Sequence, residues 1–240
     1  MKKSTLCAIT LAALPGFASA DTLFGLYAGV GSWQSEFSGN LNTSADSTID
    51  LEGDLGFDND ANNIMWVAIE HPIPVVPNIK LKSTSLEVSG DIATGIIFNG
   101  VSLSAGSSDL NLSHTDATVY YEILDNWISI DLGFTVRIFD GEVSLAGADP
   151  LPIDAPLPLG YAMAKFELPF SGFYGGAEIN AIGFGDSGVT DITVKIGYES
   201  AFRVGAELGY RTLNITLEDE DDLNTNIDVG GIYFAATLHI

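Results

Sequence analysis

His114 and Asp116, two positions apart in "HTDATVYYE", are the chain's clearest candidates for chemistry. In an extended segment they project from one face. There a carboxylate can orient an imidazole as a general base, the arrangement a hydrolase would need. No nucleophile at a matching spacing accompanies the pair, so the ordinary reading is a hydrogen-bonded couple without a catalytic role. The other histidines, His71 before Pro72 and His239 next to the last residue, are too scattered for a zinc cluster. "DNDANN", residues 58–63, begins like a calcium loop but lacks the glycine and the distal glutamate. "EDEDD", residues 218–222, reads as solvated loop charge. At most it holds divalent ions weakly. No catalytic residue, metal centre or cofactor is expected.

Lys2 and Lys3 followed by an apolar run and Ala18-Ser19-Ala20 form a signal peptide, so residues 1–20 are expected to be removed and 21–240 to fold as one domain. The one cysteine, Cys7, lies in that peptide, so the exported chain uses no disulfides. It keeps seven basic residues against 32 acidic ones. Such a balance excludes nucleic-acid binding, while the apolar content excludes disorder. No later stretch of eighteen apolar residues offers a transmembrane helix.

The elements that must position any site are strands. Period-two alternation recurs in about ten segments: 22–37, 63–71, 78–89, 109–124, 127–145, 159–170, 173–185, 189–199, 202–217 and 227–240. Every even link between them is short, and four of the five odd links are long, the ninth (218–226) being strongly acidic. The third carries a hairpin signal at Asn99-Gly100. In an up-and-down barrel successive links alternate ends, which gathers tight turns at one end and long loops at the other. The expected fold is therefore an all-β, antiparallel transmembrane barrel of about ten strands, eight being the alternative. Its termini would be periplasmic and its long acidic loops extracellular. A soluble periplasmic β-sandwich that binds a ligand is the competing reading, because alternation alone does not say which face meets water.

The basic residues decide the face. Lys80, Lys82, Arg137, Lys165, Lys195, Arg203 and Arg211 all fall on the polar side of strands, with His114, Asp116, Glu122, Asp131, Glu167, Glu178, Glu199 and Glu207. A solvated surface has no need of this segregation. A narrow lumen does, because uncompensated burial costs several kcal/mol per ion. These fifteen residues are expected to form a lumen charge network, with polar-side glycines making room for the long basic side chains. Tyr27, Trp33, Trp66, Trp127, Phe170, Phe173, Tyr198 and Phe202 are expected in interfacial girdles. In "AFRVGAELGYRTLNI" the alternation breaks after Tyr210, with Leu213, Ile215 and Leu217 on the other parity. That reads as a bulge, or as the strand leaving the membrane.

The segments "HTDATVYYEILDNWISIDLGFTVRIFDGEV", "LYAGVGSW", "IEHPIPVVPNIKL" and "LEDEDDLN" together closely resemble a family of small outer-membrane β-barrel proteins of Gram-negative, often marine, bacteria. The resemblance implies fold and location and supplies no activity. A ten-stranded lumen is small. The expected role is structural or in surface interaction, with a narrow solute channel as the alternative. The expected partners are membrane lipid, lipopolysaccharide and the barrel-assembly machinery, for a monomer.

Overall fold

The structure is a computed structural model. It describes residues 24–43, 48–73, 75–92, 96–98, 101–154, 156–220 and 223–240, so the signal peptide expected at 1–20 lies outside the described residues. Ten strands form the wall: β1 (Gly25–Thr43), β2 (Asp60–Glu70), β3 (Asn78–Thr84), β4 (His114–Asp125), β5 (Ile128–Phe139), β6 (Pro156–Glu167), β7 (Phe173–Phe184), β8 (Ser187–Glu199), β9 (Val204–Glu220) and β10 (Leu223–His239). Each pairs antiparallel with its sequence neighbours, and β1 pairs with β10 from Tyr27↔His239 to Thr43↔Leu223, which closes the barrel. Closure leaves no unpaired edge, the condition for a sheet that crosses lipid.

The strand faces follow the pleat. Val30, Met65, Leu81, Leu132, Phe134, Ile196 and Leu208 point outward and are exposed, Phe134 by 71%. A continuous apolar belt of this kind is what a lipid-facing wall requires and what a water-soluble surface avoids. Trp127, Phe170, Phe173, Tyr198 and Phe202 stand exposed at the end that carries the short turns. Three of the aromatics expected in girdles do not join them. Trp33 is fully buried inside, while Tyr27 and Trp66 line the lumen. Their parity is that of the polar face, and inward aromatic rings fill space that the small inner residues leave.

At the other end the barrel continues past the apolar belt. The expected bulge after Tyr210 is absent, because β9 pairs with β8 and β10 without interruption from Gly205 to Thr216. The side chains change instead. Leu213 and Ile215 point inward and are buried, as are Ile227 and Val229 of β10. Their outward neighbours are Thr212, Asn214, Asn226 and Asp228. The wall keeps its parity while its surroundings pass from lipid to water, so inside and outside exchange polarity. The ninth link, expected to be long, is reduced to residues 221–222 by the extension of both strands.

Beyond β3, β4, β5 and β6 the chain breaks briefly and resumes as a second sheet, in the order Leu151–Ile153, Gly141–Leu145, Gly106–Asn111, Glu87–Ile92. A two-residue ladder, Ile97↔Ser102 and Phe98↔Val101, flanks the expected Asn99-Gly100 turn, which itself lies outside the described residues. Leu86, Val88, Leu110, Leu112 and Leu145 join Leu51, Leu55 and Phe57 of the β1–β2 link in one buried cluster. That cluster is continuous with Trp33, Phe37, Leu213 and Val229 inside the barrel. An apolar core therefore caps the long-loop end.

Candidate functional site: the lumen

Beneath the cap, alternate residues of the wall converge on a cluster of buried charges. Arg137 of β5 donates through Nε and Nη2 to both carboxylate oxygens of Asp116 on β4, at 2.7 and 2.8 Å. Its Nη2 also reaches Asp191 Oδ2 on β8 at 2.5 Å. Arg211 of β9 makes a second fork onto Asp191, at 2.9 and 2.7 Å, and donates through Nη1 to Thr84 Oγ1 at 3.0 Å. Its guanidinium also stacks 4.7 Å over Trp33. Planar guanidinium groups suit such two-pronged bonds, and shared partners compensate charges held out of water. Arg137, Arg211, Asp116 and Asp191 are all at most 2% exposed. Below them Thr118, Thr135 and Asn180 form a chain of hydrogen bonds of 2.7 and 2.6 Å.

His114 belongs to this cluster but does not couple to Asp116. Its Nδ1 lies 2.8 Å from the Leu112 carbonyl, and its Nε2 lies 3.3 Å from Arg211 Nη2. Those contacts assign the proton to Nδ1 and leave Nε2 as the acceptor from Arg211. Among the described residues, His114, Asp116 and Asp191 are the one group of three with ligand atoms close enough to share a metal. Two arginines already occupy both carboxylates, so the donor set does not suit a cation.

Toward the turn end the lumen opens into a cavity of about 640 Å³. Lys80 and Lys82 both reach Glu178, the latter at 3.5 Å. Lys195 reaches Glu207 at 2.7 Å, and Lys165 reaches Glu167 at 2.8 Å. Glu207 also accepts from Tyr174 and Tyr233 at 2.9 and 3.2 Å. Near the mouth His239 Nδ1 lies 3.4 Å from Glu199, and its ring stacks on Tyr27. Arg203, expected in a strand, sits exposed in the β8–β9 turn with φ +60° and touches His239 at 3.3 Å. It stands outside the lumen because the strand starts at Val204, two residues later than its alternation suggests. Glu122 and Asp131 line the cavity without a basic partner among the described residues.

Inner glycines such as Gly197 and Gly209 make room for aromatic rings in place of the expected arginine or lysine side chains. Tyr174 lies opposite Gly197 and Tyr233 opposite Gly209 across adjacent strands. A Cβ at Gly197 would stand 2.2 Å from Tyr174 Cζ, and one at Gly209 would stand 2.4 Å from Tyr233 Cε1. Each ring packs against the glycine that faces it, the cross-strand device by which an aromatic covers a bare backbone.

Sequence reasoning did not single out Asp191, the hub of the cluster, although it shares the inward parity of Thr193 and Lys195. Glu70 and the tyrosines were passed over as well. Parity alone marks these residues as inward, and only the stagger of the barrel brings them level with their partners.

The sequence matches no family model and no curated protein. Among solved structures, the outer membrane protease OmpT from Escherichia coli matches with a TM-score of 0.54 at 10% identity, over 92% of this chain and 98% of that one. The fold is that of an outer-membrane β-barrel. The outer membrane protein AlkL (TM-score 0.40, 12% identity, 96% and 97% covered) and the translocator domain of the autotransporter NalP from Neisseria meningitidis (0.38, 10%, 88% and 86%) are also similar. At such identities the likeness concerns the fold. Within this barrel the side chains divide the lumen, sealed above and hollow below.

Proposed function

We propose that the protein is a non-conducting barrel of the outer membrane, with its short turns in the periplasm and its second sheet on the cell surface. Its role there is structural or one of surface interaction. The seal carries this reading: the Arg137–Asp116–Asp191–Arg211 cluster spans the lumen and an apolar core stands directly above it. A solute would have to break buried ion pairs and then cross leucines and a tryptophan. The engagement of His114 and Asp116 by arginines supports a non-catalytic role, since neither group is free to take a substrate proton. The position of the second sheet beyond the apolar belt supports surface exposure.

The orientation is tested with a cysteine placed at Ser89 or Ser144 in the second sheet. The exported chain has no other thiol, since Cys7 lies in the signal peptide. A membrane-impermeant maleimide should label the variant in intact cells. Labelling only after the outer membrane is permeabilised would overturn the proposed orientation.

A further inference from the structure

The cavity at the turn end is not balanced in charge. Lys80, Lys82, Lys165 and Lys195 each face a carboxylate, and Arg211 is held by Asp191. On the wall made by β2, β4 and β5 three further carboxylates, Glu70, Glu122 and Asp131, line the same space, with Asp125 at the end of β4, and none of the four forms an ion pair among the described residues. A bulge in the β4–β5 ladder creates this arrangement. The register shifts between Ile130 and Asp131, so that Ile123 is skipped and Asp131 pairs directly with Glu122. Like charges directly opposite each other destabilise a sheet. Asp131 is 2% exposed, and its Oδ1 has no hydrogen-bond partner.

The rest of the wall is suited to ammonium groups. The cavity's own lysines lie over aromatic rings: Lys80 at 5.8 Å from Trp66 and 5.7 Å from Tyr161, and Lys165 at 5.8 Å from Tyr174. The ring faces attract cations. Tyr120, beside the acidic wall, donates to Glu70 at 2.8 Å and packs against Tyr161 with centroids 5.7 Å apart. The volume lies in the range of small-molecule sites. The three carboxylates do not bring oxygens close enough together to share one metal ion, so the arrangement fits a longer cation better than a point charge.

We infer that the turn-end cavity binds a small organic amine, its ammonium groups held by Glu70, Glu122 and Asp131 against the tyrosine rings. The orientation proposed above determines only which compartment supplies the amine, the periplasm. The seal above the cavity makes this a binding site with one entrance and not a passage.

The test is calorimetric titration of spermidine into the full chain folded in detergent. Saturable binding with one site per chain is expected. Asp131→Asn and Glu122→Gln should each weaken it by roughly tenfold or more, as loss of a charge-assisted contact implies. Glu87→Gln, on the second sheet, should leave it unchanged. The gel mobility of unheated samples reports that each variant has folded. Should Asp131→Asn fail to fold, Glu122→Gln, whose side chain is on the cavity surface, decides the matter alone. Absence of saturable heat with the unmodified protein at ~10 mM spermidine would overturn the inference, as would undiminished binding by the folded variants. Displacement of spermidine by an equal concentration of calcium chloride would also overturn it, because the carboxylates would then be a metal site.

Discussion

Arg137 Nη2 and Asp191 Oδ2 stand 2.5 Å apart, and the same oxygen accepts from Arg211 Nη2 at 2.7 Å. One carboxylate on β8 therefore ties β5 and β9 together across the lumen. Every group in the cluster is cut off from water, so each depends on its partners for solvation.

Removing the hub should cost more than removing a pair. Asp191→Asn leaves two buried guanidinium groups short of charge, and about 3–5 kcal/mol of stability should be lost. Replacing Arg137 and Asp116 together by leucine should cost less than Arg137→Leu alone, since no uncompensated charge remains on that side. Urea unfolding in phospholipid vesicles, followed by tryptophan fluorescence, measures both. Equal losses for the single and double replacements would show that the pair contributes little.

The apolar cap should behave as a protein core and the belt should not. Leu213→Ala opens a hole in the buried cluster opposite Val229 and should cost about 2–5 kcal/mol. Leu208→Ala, five residues earlier on the outward face, should cost about 1 kcal/mol or less in the same vesicles. Comparable effects at both sites would mean that the inside and outside of β9 had been assigned wrongly.

This contrast also shows what the sequence conveys and what it hides. All ten wall strands were legible, because residues such as Phe134 and Thr135 alternate cleanly between lipid and lumen. The change along β9 was harder to read. Leu213 and Ile215 keep the inward parity of Glu207 and Arg211, but their hydrophobicity suggests a slip. Parity reports only a contrast between faces. It does not report that the outer medium has changed from lipid to water. The second sheet was hidden for a related reason: residues 85–86, 112–113 and 140 interrupt strands whose alternation runs on almost unbroken. The pairing of Arg137 with Asp191 depends on barrel stagger, which no local pattern encodes.

The glycine–tyrosine pairs predict a steric effect. Gly197→Val places side-chain atoms where the Tyr174 ring lies and should push that ring into the cavity, breaking its bond to Glu207. A loss of about 1–3 kcal/mol is expected. Combining it with Tyr174→Ala, which vacates the space, should recover part of that loss. No recovery in the double variant would place the strain in the backbone.

The sealed lumen is tested most directly by single-channel recording. Full-length folded protein, shown to be inserted by its shift in gel mobility on heating, is added to planar lipid bilayers under an applied voltage. The closed cluster and the apolar cap predict no discrete conductance steps at any protein concentration. Resolved openings whose frequency rises with the amount of folded protein would contradict the account.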